Sequence, residues 1–302
     1  MSTLKTTPAT TTAVAQAAAS LAANKTAMSD KQFAQLGKII YDRAGIHFPD
    51  NKKYVLESRM SQRLKELDME NYDQYIAYLT MGPYQMDEFQ EMFNRITINE
   101  TSFFRNEPQL EVFERKVLPQ ILEARKGTKR LRIWSAACST GEEPFTLALL
   151  VHRTLGVRLA DWRIEILGTD ISERALETAQ EAKYTEYAMR TTNPMIRQKY
   201  FRQEGPYFFL NDSIKSMVNF ELHNLKDALA AKRHGTWDVI FCRNVMIYFD
   251  DAMKKTVLNC FADNLADDGT LFIGHSETIR AGEAPFEALP IPQGFCYRKF
   301  AK

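Results

Sequence analysis

The chain has 302 residues, with 39 basic side chains against 38 acidic ones and a formal net charge of +1, which excludes the concentrated basic surface of a domain built on nucleic-acid backbones. Hydrophobic residues make up 45% and charged residues 25%, as in ordinary soluble domains, and the length allows one large core or two unequal ones. No apolar run approaches the ~20 residues that span a bilayer, so no membrane insertion is expected.

Residues 1–28 are mostly Thr, Ala and Ser, with no acid before Asp30 and only Lys5 and Lys25 as bases. Too few large apolar side chains are present to offset the entropy of ordering, so a disordered leader is expected; lacking Arg, the stretch does not match an organelle transit peptide. Ser29 and Gln32 form a capping-box start for a helix bearing Phe33, Leu36, Ile40 and Ala44, which Gly45 ends. A second helix from about Asn51 carries Leu56, Met60, Leu64 and Leu67 on one side, with Lys52, Arg59 and Arg63 opposite. A third holds Tyr72, Tyr75, Ile76 and Leu79, and after Gly82-Pro83 a fourth presents Met86, Phe89, Phe93 and Ile96. Residues 29–98 therefore read as an all-helical domain. Its basic row is either a solvated face or a docking surface for an acidic partner.

From residue 108 the periodicity changes. Pro108 fits the first turn of a helix carrying Leu110, Phe113, Val117 and Ile121. Short apolar runs at Leu131–Ala136, Ile164–Thr169, Val239–Cys242 and Thr270–Ile273 then alternate with helical segments at Thr146–Leu155, Glu173–Ala182 and Met253–Leu265. This alternation predicts an α/β domain over 99–302, with a mostly parallel sheet covered on both faces and a last strand at Gly294–Phe300 at or near the edge. Tyr207–Leu210 and Ile214–Leu222, joined around Asn211-Asp212, are expected to form a hairpin inserted over about 190–222.

The four cysteines, Cys138, Cys242, Cys260 and Cys296, are scattered, and no HExxH or CxxC spacing occurs. Neither a disulfide framework nor a metal site is expected, and a reducing cytoplasm is the natural setting.

In open parallel sheets the ligand lies at the carboxyl ends of the strands. The first strand ends in Ser135-Ala136-Ala137-Cys138-Ser139-Thr140-Gly141-Glu142-Glu143, whose single glycine is not the GxGxxG that a pyrophosphate needs. The second ends in Gly168-Thr169-Asp170, an acid placed to accept from ribose hydroxyls. A glycine-poor loop with a ribose-binding acid suits a nucleoside cofactor without phosphates, and S-adenosylmethionine fits. Glu142 or Glu143 would then face its positive charge.

Asn99-Glu100-Thr101-Ser102-Phe103-Phe104-Arg105, Trp134 through Pro144, and Ile240-Phe241-Cys242-Arg243-Asn244-Val245-Met246-Ile247-Tyr248-Phe249 closely resemble, in order and spacing, the chemotaxis receptor methyltransferase (CheR) family. The resemblance covers about residues 29–300. It implies a class I S-adenosylmethionine-dependent methyltransferase fold, Rossmann-like, with an N-terminal helical domain for receptor docking and a small inserted β-subdomain. The implied reaction transfers methyl groups to glutamate side chains on chemoreceptor cytoplasmic helices and releases S-adenosylhomocysteine.

Carried over by motif, Asn99, Thr101 and Arg105 line the cofactor site ahead of the first strand. Ala137 meets the cofactor through its backbone, Glu143 holds the methionine end and Asp170 the ribose. Asn224-Leu225 lies on the adenine side, and Arg243-Asn244 forms a second lining pair. Arg105 and Tyr248 stand nearest the transferred methyl. On this resemblance the Lys52, Arg59 and Arg63 face becomes a docking surface for glutamate-rich receptor helices, and nothing demands more than a monomer. A methyltransferase for another substrate and a non-catalytic sensor of the cofactor are the competing readings, with a nicotinamide dehydrogenase last.

Overall fold

The computed structural model describes residues 27–82, 85–280 and 282–300. Its contacts divide the chain into two units: the chain up to Asp42 with His47–Ile96, and Arg43–Ile46 with everything from Thr97 onward. Residues 1–26, most of the expected leader, lie outside the described residues. Met28 does not behave as leader: it is buried, and its amide donates to Glu57 Oε1 at 2.9 Å.

The first unit is helical, with helices Asp30–Ala44, Lys53–Glu66, Tyr72–Met81 and Gln85–Ile96. The capping box forms reciprocally: Gln32 N donates to Ser29 Oγ at 3.2 Å and Ser29 N to Gln32 Oε1 at 2.9 Å. Leu36, Ile40, Leu56, Met60, Leu64 and Tyr75 are fully buried, each apolar side chain contributing about 1.5–3 kcal/mol. Met86 is a correction: it is 71% exposed, and the buried row of the last helix runs through Phe89, Met92, Phe93 and Ile96. A charge also lies inside. The Glu88 carboxylate, 2% exposed, accepts from Arg63 Nη2 at 2.5 Å and from Tyr75 Oη at 2.8 Å.

Among the described residues the second unit holds ten strands: β1 Arg130–Ala136, β2 Arg163–Asp170, β3 Lys183–Thr185, β4 Phe201–Glu204, β5 Tyr207–Leu210, β6 Val218–Leu222, β7 Trp237–Cys242, β8 Leu265–Ile273, β9 Phe286–Ala288 and β10 Cys296–Lys299. Seven form one sheet in the order β6-β2-β1-β7-β8-β10-β9, parallel from β6 through β8 and antiparallel at β10 and β9. Because successive side chains point to opposite faces, the strands feed two cores. Ile133, Val239 and Phe241 pack with Phe113, Phe145 and Phe272 on one side. Trp134, Ile240 and Cys242 pack with Phe261 and Leu258 on the other.

The inserted hairpin differs from the sequence reading. Gly205, at φ +56°, turns the chain between β4 and β5, which pair antiparallel, and β3 adds to the other side of β5. Asn211-Asp212 opens a helical turn, Asp212–Lys215, instead of a hairpin loop. The segment expected to return as the second hairpin strand is β6, the parallel edge of the main sheet beside β2. Its alternation marked a strand but could not name a partner distant in sequence.

Candidate active site

The strand order reverses about β1: the chain goes outward to β2 and β6 on one side and to β7 and β8 on the other. The loops leaving β1, β2, β7 and β8 therefore meet at a switch point. The β1 loop is tightly wound, with Ala137 at φ +60°, Ser139 at +53° and Gly141 at +91°. Left-handed backbone costs a non-glycine residue about 1–2 kcal/mol and persists where the surroundings impose it. Cys138 N donates to Thr169 O at 2.8 Å and Ser139 N to Asp170 Oδ2 at 2.8 Å, so the loop folds back over the end of β2. Gly141 is required: a Cβ there would stand 2.8 Å from the Ala179 Cβ.

Asp170 is 6% exposed, and its other oxygen accepts from Ser172 N at 2.9 Å. Burial pushes its carboxyl above the ordinary value, opposed by the amides of Ser172, Ser139 and Ile171. His223 N donates to the Asp170 carbonyl at 2.9 Å and brings the end of β6 alongside.

Glu142 and Glu143 open the helix Glu142–Leu155. Side chains in the first turn lean back toward the N-terminus, and the two diverge. Glu142 is buried and accepts from Thr140 Oγ1 at 2.6 Å; burial pushes its carboxyl up to about 7. Glu143 accepts from Ser135 Oγ at 2.7 Å and from Arg243 Nη1 at 3.0 Å. The Arg243 Nη2 donates to the Arg105 carbonyl at 2.7 Å, and its buried Nε has no partner. Arg105, Glu143 and Arg243, spread over 139 residues of sequence, thus form one cluster with side chains of the pair only 4% and 13% exposed.

Asn244 follows at φ +61°, and Tyr248, half-buried in the 3-10 turn Met246–Tyr248, packs against the core on its side of the sheet. Asn99 is half-buried. The Thr101 carbonyl accepts from Arg190 Nη1 at 3.1 Å, and the Arg105 guanidinium turns to the Glu100 carbonyl at 2.8 Å. Leu225 is buried in the core on the Trp134 side of the sheet. The Asn224 amide is engaged in structure, donating to Arg43 O at 2.7 Å and accepting from Lys226 N at 3.0 Å.

The basic row of the first unit is not a file of solvent-facing cations. Arg63 is held by Glu88 and Glu66, and Arg59 donates to the Ile96 carbonyl. Lys52 is exposed. Arg63 points inward because Glu88, on a helix adjacent in space, is buried and needs a counter-charge, which the helical spacing of Arg63 alone does not disclose.

Glu277 went unrecognised in the sequence. Its carboxylate, 8% exposed, accepts from the amides of Gly274 at 2.6 Å, Met246 at 2.8 Å and Asn244 at 3.0 Å. The only local signal is its place three residues after a glycine that ends a strand.

A family model described as "CheR methyltransferase, SAM binding domain" matches residues 99–295, and one described as "CheR methyltransferase, all-alpha domain" matches 31–97. The chain is 35% identical over 257 residues to the chemotaxis protein methyltransferase of Borreliella burgdorferi, covering 83% of this chain and 89% of that one. It is 33% identical over 258 residues to chemotaxis protein methyltransferase 2 of Vibrio cholerae, covering 85% and 88%. With the Escherichia coli chemotaxis protein methyltransferase it shares 35% over 268 residues, covering 86% and 88%.

Proposed function

The chain belongs to the CheR methyltransferase family, and on that premise we propose how its residues carry out methyl transfer from S-adenosylmethionine to glutamate side chains of chemoreceptor cytoplasmic helices. The products are glutamate methyl esters and S-adenosylhomocysteine. The observation that carries the assignment of roles is the buried Glu143–Arg243 pair, tied to the Arg105 carbonyl at the switch point of the sheet.

The cluster fits the cofactor's chemistry. A carboxylate and a guanidinium side by side match the ammonium and carboxylate of an amino-acid end, and the unpartnered buried Nε of Arg243 is a donor awaiting an acceptor. Glu143 and Arg243 therefore hold the methionine end, with Asn99, Thr101 and Asn244 lining the same site. Asp170 has both oxygens on backbone amides but keeps lone pairs for ribose hydroxyls. The wound backbone at Ala137 brings the main chain to the ligand, and Asn224-Leu225 closes the adenine side, Leu225 by packing.

When bound, S-adenosylmethionine supplies an electrophilic methyl group. The acceptor carboxylate, with an ordinary pKa of ~4.3, is already ionised at neutral pH, so this site needs no general base. Arg105 orients that carboxylate, Tyr248 donates to it or packs beside the methyl, and the low exposure of the cluster excludes water. We propose that the enzyme acts as a monomer. No helix among the described residues is long and apolar enough to cross a membrane, and the substrate helices are cytoplasmic, so we place the reaction in the cytoplasm. Lys52 contributes charge to receptor docking, while Arg59 and Arg63 brace the helix Lys53–Glu66 that carries the docking face.

The test is methyl transfer from radiolabelled S-adenosylmethionine to a chemoreceptor cytoplasmic fragment, followed by mild alkali. Volatile labelled methanol reports a carboxyl ester and is the expected result. Alkali-stable label would point to a methylated nitrogen or carbon and overturn the assignment.

A further inference from the structure

Strands β7 and β8 are parallel neighbours with Cys242 opposite Ile273, so the loops that follow them, Arg243–Tyr248 and Gly274–Glu277, leave the sheet side by side. They come closer than side chains allow. A Cβ on Gly274 would stand 2.9 Å from Asn244 N and 2.7 Å from Glu277 Oε2, so only glycine fits there. Three amide hydrogens in this narrow space converge on one group: Gly274 N and Asn244 N donate to Glu277 Oε2, and Met246 N donates to Oε1. Asn244 stands at φ +61°, a left-handed conformation that asparagine tolerates better than most side chains, and its amide's bond to Glu277 restrains the turn there. The neighbours of that restraint carry the chemistry. Arg243 precedes Asn244 and clasps both Glu143 and the Arg105 carbonyl; Tyr248 follows two residues after Met246.

We infer that Glu277 is a positioning residue of the methyl-transfer site, whose carboxylate fixes the Arg243–Tyr248 loop so that Arg243 meets Glu143 and Arg105. The inference rests on the functional reading above and assigns a role to a residue that reading does not use. Glu277 acts through the loop and touches no reacting atom. A carboxylate suits the task because it accepts from three donors at once and has none of its own. An amide in its place keeps one oxygen, which serves Gly274 N and Asn244 N or Met246 N but not both, and turns an NH2 toward the remaining donor.

The experiment compares wild type, Glu277→Gln and Glu88→Gln in the full chain. The last removes a buried carboxylate in the helical unit, so it lowers stability without touching this loop. Calorimetric Kd for S-adenosylmethionine, the steady-state KM for the same compound, kcat and Tm are measured for each. Glu277→Gln is expected to weaken cofactor affinity about tenfold and to lower kcat at saturating cofactor several-fold, while receptor KM stays within twofold. Glu88→Gln is expected to lower Tm with wild-type Kd and kcat. If Glu277→Gln lowers Tm but leaves Kd and kcat as in wild type, its role is structural only and the inference is overturned.

Should Glu277→Gln fail to fold, hydrogen exchange on the wild type decides. Peptides covering Arg243–Tyr248 and Gly274–Glu277 must gain protection together when S-adenosylmethionine is added, and no gain in either overturns the inference. A wild type that binds no S-adenosylmethionine refutes the functional reading itself, and the inference with it. A wild type that binds and turns over while Glu277→Gln matches it refutes the inference alone.

Discussion

Replacing Arg243 by Met tests the central cluster. Methionine matches the arginine stem in length, so the substitution removes the guanidinium with little loss of packing. Two hydrogen bonds go with it, to Glu143 Oε2 at 3.0 Å and to the Arg105 carbonyl at 2.7 Å. Glu143 keeps the hydrogen bond from the Ser135 hydroxyl, in a site where its side chain is only 13% exposed. Removing one member of a buried pair costs about 3–5 kcal/mol, since the remaining charge stays desolvated. For a unit of this size that is a fall in Tm of about 2–4 °C per kcal/mol, so roughly 6–20 °C. Thermal and urea unfolding measure the loss, and calorimetry measures S-adenosylmethionine binding, expected to weaken at least tenfold. The Arg243→Met/Glu143→Gln double variant must recover part of the stability, because the stranded charge is then gone. A single-variant loss below about 1 kcal/mol, or strictly additive losses in the double variant, would refute the reasoning that the two charges hold one another.

Four further outcomes are expected. Arg105→Ala should lower kcat at least tenfold with little change in Tm, because the guanidinium's bond is to the exposed Glu100 carbonyl; near-normal turnover in a folded variant removes Arg105 from the mechanism. Glu142 titrates at about 7 in the fold and near 4.3 unfolded, so the fold's preference for its proton is fully present below the lower value and lost as pH rises through the upper one. Glu142→Gln should therefore stabilise the protein relative to wild type by about 2 kcal/mol more at pH 8 than at pH 5, and a pH-independent difference in unfolding free energy contradicts this. Gly141→Ala should cost about 2 kcal/mol or more, from the left-handed φ and the clash with Ala179, whereas Gly127→Ala, with open space around it, should be close to neutral; equal midpoints in urea would refute the steric argument. Glu88→Gln should cost about 2–3 kcal/mol, less than in a dry site because the Arg63 side chain keeps 20% exposure, and unchanged urea unfolding would deny the pair a structural role.

Much of the architecture was legible locally. The capping box at Ser29 and Gln32, the stop at Gly45, and the short apolar runs of β1, β2, β7 and β8 are properties of neighbouring residues, since helix ends have their own capping residues and a parallel strand buried on both faces is a continuous apolar run. The roles of Arg105, Glu143, Asp170 and Arg243 come from motifs that resemble the CheR family, and the structure sets Glu143 at the start of the helix after β1, Asp170 at the end of β2 and Arg243 just past β7. Met86 was misread because a helix twelve residues long offers two overlapping apolar rows, and only packing chooses between them.

By itself the sequence determined the class of fold, the helical and α/β parts, and the residues gathered at the strand ends, because periodicity reports which side chains are buried. Partners were decided by tertiary structure. Val218–Leu222 joined β2 instead of Tyr207–Leu210, Arg63 turned to Glu88 instead of to solvent, and Glu277 became the acceptor for a loop some thirty residues earlier. In each case a buried polar group, whether a backbone amide, a guanidinium or a carboxylate, had to be satisfied, and the group that satisfies it is set by what the folded chain brings within about 3 Å.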